Sequence, residues 1–446
     1  MCTSDGFKPR TATRTQIEAR VKRLSGKTLG EIPLLTPSKK RQKNLGDIGV
    51  ALESYFGLEG DSYQRPDFWR AEIELKAVPL VMGTKEFHCD QKTFITAINY
   101  MSIADEDWRT AHVRSKLNTL LVFVERFPGQ EWPSYVVRSF HFKDFMAERS
   151  FARLAQRDWR KVKDVVKACG AHQLSASDGL VLVPATKGAN AKDKSQQPCG
   201  PMAMRRSFAL RQSFMKAVYR DSVNPRGREQ ESLLATLAPK GPPDLERLIR
   251  KRLNRYKGVR VSRVARQLHY PSAGSSRSYG ADVVQLALGA RSPRSRIAEF
   301  EEAGITIRRP RVNASMLPYE HISFPAFRAN DLRNQEWDES ELKAALENML
   351  FVPLVGEHRT THLRDCFIGE PCFWRPDDRE LVAIGKEWTS LKDQLLAGKL
   401  EGLSREHIHM RPHARNSKDT DRVGRRTFTR KSYWLNKEFV ASRLHR

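Results

Sequence analysis

Cysteine is sparse in this 446-residue chain, and acid is sparse beside base. The six cysteines, Cys2, Cys89, Cys169, Cys199, Cys366 and Cys372, are scattered without a CxxC pair, so their spacing marks no redox or zinc motif. No segment approaches the roughly 20 consecutive apolar residues that cross a membrane. The start, MCTSDGFKPR, lacks the apolar stretch of a secretory signal. A reducing cytoplasm is the expected location, with no membrane partner. Against 78 Lys+Arg stand 52 Asp+Glu, a formal charge of +26. Such an excess concentrates polyanions and makes nucleic acid the expected partner, without separating DNA from RNA. Disorder is excluded, because 39% hydrophobic and 9% aromatic residues suffice to bury real cores.

The length exceeds what one ordinary core supports, and an internal repeat sets the domain count at two. Trp108 and Trp159 lie 51 residues apart, as do Trp337 and Trp388. EDW at 106 to 108 matches QEW at 335 to 337, KLNTLLVFV at 116 to 124 matches ALENMLFVP at 345 to 353, and DWRKVKD at 158 to 164 matches EWTSLKD at 387 to 393. These pairs share an offset of 229. Upstream the offset is 232, pairing Gly26 with Gly258 and Gly57 with Gly289; near the ends it is 225, pairing RSFALRQSF at 206 to 214 with KSYWLNKEF at 431 to 439. Small loop insertions explain the drift. The expected domains are 1–225 and 240–446, with a linker over 226–239 next to the Pro/Gly-bearing stretch LAPKGPPD.

Each repeat reads as helix, helix, strand, helix, strand, helix. DIGVALESYFGL and ADVVQLALGA have helical periodicity, with Ile48, Leu52, Tyr55 and Phe56 as the apolar stripe of the first. IELKAVPLVM, TLLVFVE and GLVLVPA are short β-rich runs. The class is α/β, each domain a mixed central sheet flanked by helices.

The chemistry concentrates in residues 51 to 80, ALESYFGLEGDSYQRPDFWRAEIELKAVPL. In a strand, Glu74 and Lys76 share one face while Leu75 points to the other, into the core. Asp67, seven residues earlier and just after Pro66, reaches the same face. Two carboxylates and a backbone carbonyl, that of Leu75, make an oxygen-rich site suited to Mg²⁺. A lysine beside them orients or helps deprotonate an attacking water, the chemistry of phosphodiester hydrolysis. A Glu-x-Lys triplet alone is commonly a solvated strand face, so the wider match decides.

That wider match runs through GVALESYFG, PDF, ELKAVPL and WRTAHVRSKL, the last spanning Trp108 to Leu117. The sequence resembles the MutH family, which comprises mismatch-repair nicking endonucleases and their two-domain restriction-enzyme relatives that recognise GATC. The likeness extends over nearly the whole chain, including EFEEAGITIRRPRVN at 299 to 313 and SFPAF at 323 to 327. It implies two tandem restriction-endonuclease-like domains of the PD-(D/E)xK type. It also implies Mg²⁺ held by Asp67, Glu74 and Leu75, Lys76 as the catalytic lysine, Glu53 as a further carboxylate and Lys116 beside the scissile phosphate.

The second repeat departs from this pattern. The counterparts of Glu53, Asp67, Glu74, Lys76 and Lys116 are Gln285, Glu299, Thr306, Arg308 and Ala345. Such a domain cannot assemble the same metal site, and the resemblance implies a non-catalytic DNA-binding or allosteric role. Two loops are expected to touch DNA. PATKGANAKDK in the first repeat supplies Lys187, Asn190 and Lys192, with Lys187 matching a base-contacting lysine of the family. RPHARNSKD in the second supplies Arg411, Pro412 and His413. The basic run KKRQK at 39 to 43 is either a phosphate contact or a solvated charge run. His407, His409 and His413 alternate on a strand leading into a loop and need no metal. Ala209 stands where the nicking enzymes place an aromatic that senses adenine methylation.

The expected function is therefore type II site-specific cleavage of double-stranded DNA, at GATC, in restriction of foreign DNA. The expected partners are two DNA sites per chain and a cognate DNA methyltransferase, with a DNA-induced dimer left open. The alternatives are a mismatch-repair nicking endonuclease and a non-enzymatic DNA-binding regulator.

Overall fold

Strand β1 (Glu74–Met82) forms from ELKAVPLVM, and β4 (Asn118–Glu125) from the uninterrupted apolar run NTLLVFVE. β2 (Phe87–Cys89) and β3 (Thr93–Ala97) lie between them in sequence, and β5 (Val136–Asp144) follows. The computed structural model describes residues 6–32, 46–58, 65–83, 86–127, 129–186, 193–224, 230–234, 244–270, 278–333, 335–414, 416 and 418–445. Two units divide the chain, Met1–Gly227 and Arg228–Arg446. Both are mixed α/β. Among the described residues no helix is long and apolar enough to cross a membrane.

In the first unit the larger sheet has the order β2-β1-β4-β5. β1 and β4 are parallel, with Glu74 opposite Thr119 and Lys76 opposite Leu121; β5 is antiparallel to β4. A parallel pair needs a crossover, here residues 83–117. One sheet face packs on helices α1 (Arg14–Lys22) and α2 (Gly46–Phe56): Ile17 and Val21 join Ile48, Leu52, Tyr55 and Phe56 against Leu75, Leu120, Val122 and Val124. The four residues read as the apolar stripe of α2 are thus core. A short helix, α3 (His112–Ser115), delivers the chain into β4. α4 (Arg149–Lys167) buries Phe151, Leu154, Ala155, Trp159, Val162 and Val166 at helical spacing. A second, antiparallel sheet sets β7 (Arg206–Leu210) between β3 and β6 (Leu182–Thr186). Beyond it, α5 (Gln212–Val223) brings Tyr219 to within 4.9 Å of Phe123, ring to ring, and covers the other face of β4.

The second unit repeats the β1-β4-β5 pairings in their senses. β10 (Thr306–Arg308) is parallel to β13 (Met349–Phe351), which is antiparallel to β16 (Cys372–Trp374). β11 (Arg311–Val312), β14 (Leu354–Val355) and β15 (Phe367–Ile368) pair in the same senses. One ladder in the first unit becomes two here because Pro310 and Pro353 remove ladder donors, with Pro371 lying between the two antiparallel strands. Backbone bonds from Val352 N–H to the Arg308 oxygen and from Leu354 N–H to the Pro310 oxygen, both 2.9 Å, span the break. The smaller sheet sets β18 (Lys431–Leu435) between β12 (Ile322–Ala326) and β17 (Ile408–Pro412).

Side-chain contacts repeat as well. Trp108 and Trp159 lie 5.6 Å apart at 48°, and Trp337 and Trp388 lie 5.8 Å apart at 46°. Lys163 donates to the Glu106 carbonyl as Lys392 does to that of Gln335. Asp158, fully buried on α4, accepts the backbone N–H groups of Leu180, Val181 and Leu182; Glu387, on α8 (Asp378–Leu396), accepts those of His407 and Ile408. Each acid ties its long helix to the edge of the smaller sheet.

Two features depart from the sequence reading. Part of the expected linker is folded: β8 (Gln230–Glu231) pairs with β9 (Arg296–Ile297), and Leu233 and Leu234 are buried because Glu299 accepts their N–H groups at 2.9 and 2.8 Å. Cys169 and Cys199, 30 residues apart, form a disulfide with Cα atoms at 5.1 Å, a pairing that their spacing did not signal.

Candidate active site

The site is built on the first residues of β1. Phe68 and Ile73 bond to each other across a tight turn, so the chain doubles back and sets Asp67 beside Glu74. Asp67 Oδ2 accepts the Leu75 N–H at 2.8 Å. Glu72 closes the turn in the left-handed region, φ 53°, a conformation that costs most side chains about 1 kcal/mol or more. Asn118, at the start of β4, donates from Nδ2 to the Glu72 carbonyl at 2.9 Å and holds the turn. The sequence reading missed both residues, and no local pattern marks either.

Glu74 is 2% exposed and organises the charges. Its Oε1 accepts from Lys76 Nζ at 2.7 Å and from Lys116 Nζ at 3.0 Å. Lys116 reaches it from the end of α3. Its Oε2 is buried and has no hydrogen-bond partner among the described residues. Burial first, then the charge of Glu74, raises the Asp67 carboxyl to about 7; Lys76, the Leu75 N–H and Lys116 pull the other way. A carboxyl held that high and a buried oxygen without a donor are the electrostatics of a site short of one cation. Hard oxygen donors of this kind fit Mg²⁺ or a similar divalent ion. Leu75 itself packs in the core, as its alternation with Glu74 and Lys76 predicts.

The structure thus brings Asp67, Glu74, Lys76 and Lys116 together. Glu53 stands on the exposed side of α2. Four further residues share the site's sheet face, because paired residues project alike: Glu74, Thr119 and Lys143 form one row and Lys76, Leu121 and His141 the next. Lys143 pairs with Glu148. Burial, then Lys143 and Arg14, lowers the His141 imidazole below its ordinary value.

In the second unit, Gln285 donates to the Ser295 carbonyl at 3.0 Å. Glu299 lies on α7 (Ala298–Glu302), fully buried, and accepts from Ser232, Leu233 and Leu234. It is a structural acid and faces backbone donors. Lys187, Asn190, Lys192 and the run at 39 to 43 lie outside the described residues. Arg411 and Pro412 end β17, exposed; the Arg411 guanidinium lies 5.2 Å from the Trp434 ring, and His413 Nδ1 lies 3.0 Å from Ser432 Oγ. His407 and His409 bond to Glu387 and Asn436. Glu387, Glu406 and His407 group within 4.8 Å, but Glu387 is already taken by the backbone of β17. Ala209 is fully buried in the middle strand of the smaller sheet.

Residues 56–151, which carry Asp67, Glu74, Lys76 and Lys116, match the family model of the DNA mismatch repair enzyme MutH. The first unit therefore contains a MutH-like domain. The chain is similar to the type II restriction enzyme Sau3AI of Staphylococcus aureus, 25% identical over 337 residues, 74% of this chain and 68% of that enzyme. It is also similar to the DNA mismatch repair protein MutH of Vibrio vulnificus, 24% identical over 182 residues, 40% of this chain and 80% of that protein. The MutH of Klebsiella pneumoniae is 27% identical over 172 residues, 37% of this chain and 74% of that protein.

Proposed function

We propose that this protein is a site-specific endonuclease that hydrolyses phosphodiester bonds of double-stranded DNA, at GATC, in restriction of foreign DNA. The single observation that carries the reading is Glu74: one oxygen between two lysines, the other buried without a donor, and Asp67 beside it. A DNA-binding regulator has no use for acids aimed at a phosphate.

Asp67, Glu74 and the Leu75 carbonyl would hold a Mg²⁺ ion, which would supply Lewis-acid stabilisation of the charge that builds on the phosphate. Lys76 orients the attacking water from one side of Glu74. Lys116 donates to a non-bridging phosphate oxygen from the other. As water adds to phosphorus it gives up a proton to solvent, the bond to the leaving oxygen breaks, and that oxygen takes a proton from solvent. Neither lysine needs to move far, since both are already positioned by one carboxylate. Glu53 adds a carboxylate from α2. Lys187 reads bases, and Asn190 and Lys192 contact DNA beside it.

The second unit is a degenerate copy of the first that binds DNA without cutting it. Its supports are the repeated strand pairings and the loss of every acid and lysine of the site except Glu299, which is engaged elsewhere. Arg411, Pro412 and His413 are its DNA contacts. A cytoplasmic location, a cognate methyltransferase and assembly of two chains on DNA complete the reading.

The test is incubation of the purified chain with plasmid and Mg²⁺ followed by sequencing of the ends. Double-strand breaks at GATC support restriction; ends with no shared sequence, or no cleavage, overturn it. The MutH match favours a second reading, strand nicking, and conversion of supercoiled plasmid to open circle alone would select it.

A further inference from the structure

The site face of the second unit has exchanged its charge. In the first unit the two rows across the sheet hold Glu74, Thr119 and Lys143, then Lys76, Leu121 and His141. In the second unit the matching rows hold Thr306, Met349 and Trp374, then Arg308, Phe351 and Cys372. Arg308 occupies the place of the catalytic lysine, and the glutamate that would neutralise it has become a threonine.

Arg308 is partly buried and poorly satisfied. Its guanidinium stacks on Phe324, 5.1 Å from the ring. Nη1 reaches the neighbouring Ile307 carbonyl at a long 3.4 Å, and the buried Nε has no hydrogen-bond partner among the described residues. Burial, then Arg309, lowers this guanidinium to about 10, and no carboxylate acts against that shift. Arg309, by contrast, has Asp282 to offset its burial. Leaving a buried charge uncompensated costs several kcal/mol, so such a group is retained where a ligand completes it. Arginine presents a planar fork matched to phosphate oxygens.

We propose that Arg308 is an anion seat that grips one DNA phosphodiester in the second unit, in the strand position where the first unit cuts. Of the altered site positions, the two that make a phosphate seat are glutamate to Thr306 and lysine to Arg308. This rests on the reading of the second unit as DNA-binding. With Thr306 in place of the glutamate and Glu299 taken by backbone donors, the phosphate is held and left intact.

The experiment uses the full chain carrying Lys76→Ala to prevent cutting, titrated calorimetrically with a GATC-bearing duplex at several salt concentrations. With Arg308 present, two duplexes bind per chain. Arg308→Met should weaken the second duplex about tenfold or more and lower its salt slope by about 1, leaving the first unchanged. Arg308→Lys should restore most of the affinity. The free Arg308→Met protein should melt no lower than its parent, since an uncompensated charge has been replaced by an apolar chain. Normal second-duplex binding by Arg308→Met would overturn the seat while leaving the DNA-binding unit standing. A fall in melting temperature for both variants would make Arg308 a structural arginine and also overturn it. Binding of one duplex even with Arg308 intact would remove the DNA-binding reading of the second unit, and the seat with it.

Discussion

Lys116 Nζ lies 3.0 Å from Glu74 Oε1, the same oxygen that Lys76 Nζ approaches at 2.7 Å. Lys76 comes from the same strand as Glu74, two residues on. Lys116 comes from the far end of a crossover, brought back by the parallel register that sets Glu74 opposite Thr119. Two ammonium groups on one carboxylate oxygen leave the other oxygen for a cation.

If Asp67 and Lys76 face the phosphate as proposed, Asp67→Asn and Lys76→Ala should each lower cleavage by about a hundredfold or more while GATC duplex binding stays near wild type. Lys116→Ala should act in the same direction. Single-turnover cleavage and equilibrium binding on the same duplex check this; a Lys76→Ala protein that cuts at the parental rate would refute the assignment.

Asp67 also makes stability depend on pH. Its carboxyl rises from 3.8 to about 7 on folding, so between those values the folded protein keeps a proton that the unfolded chain has lost. Metal-free stability therefore falls as pH rises from about 4 to 7. Asp67→Asn cannot take the charge and should be the more stable protein at pH 8, by on the order of 4 kcal/mol, and nearly equal at pH 4. Melting in chelator at the two pH values tests the sign.

The turn held by Asn118 positions Asp67 and Glu74. Asn118→Ala should lower kcat more than it raises KM, since its side chain acts through the Glu72 carbonyl of the turn. Glu72→Gly relieves the left-handed backbone and should raise stability by about 1 kcal/mol. If Glu72→Gly were instead destabilising, the Glu72 side chain would have a role that its backbone does not explain.

Glu299→Ala should destabilise the second unit by about 2 to 4 kcal/mol, because the buried N–H groups of Leu233 and Leu234 lose their acceptor. Cleavage of a one-site plasmid at low temperature, where both units remain folded, should proceed at the parental rate. A lost chemical step with an unchanged melting curve would return Glu299 to catalysis.

If both units hold DNA, occupancy of one changes the other by linkage, typically 1 to 3 kcal/mol. A two-site plasmid should then be cut faster than a one-site plasmid, and added uncut duplex should rescue the slower substrate. Arg411→Ala should reduce that stimulation. Equal rates on both plasmids would make the second unit a scaffold.

The sequence by itself determined what is local or repeats. The alternation of Glu74, Leu75 and Lys76 set two charges on one strand face and Leu75 in the core, the stripe Ile48, Leu52, Tyr55 and Phe56 set the buried side of α2, and the common spacing of the tryptophans marked two ring pairs of like geometry. Each is a pattern of period two or 3.6, or a fixed spacing, and so needs no knowledge of what lies opposite. Tertiary structure decided the rest. Lys116 meets Glu74 only through a parallel register, which local periodicity does not encode. Glu299 looked like a surviving site acid by offset, yet buried backbone donors in residues 233 and 234 claim it. Asn118 and Glu72 form a bond between a strand start and a turn 46 residues away. The state of Arg308 depends on its neighbours Phe324 and Arg309, because the environment around a charge, unlike its identity, is assembled only when distant strands pair.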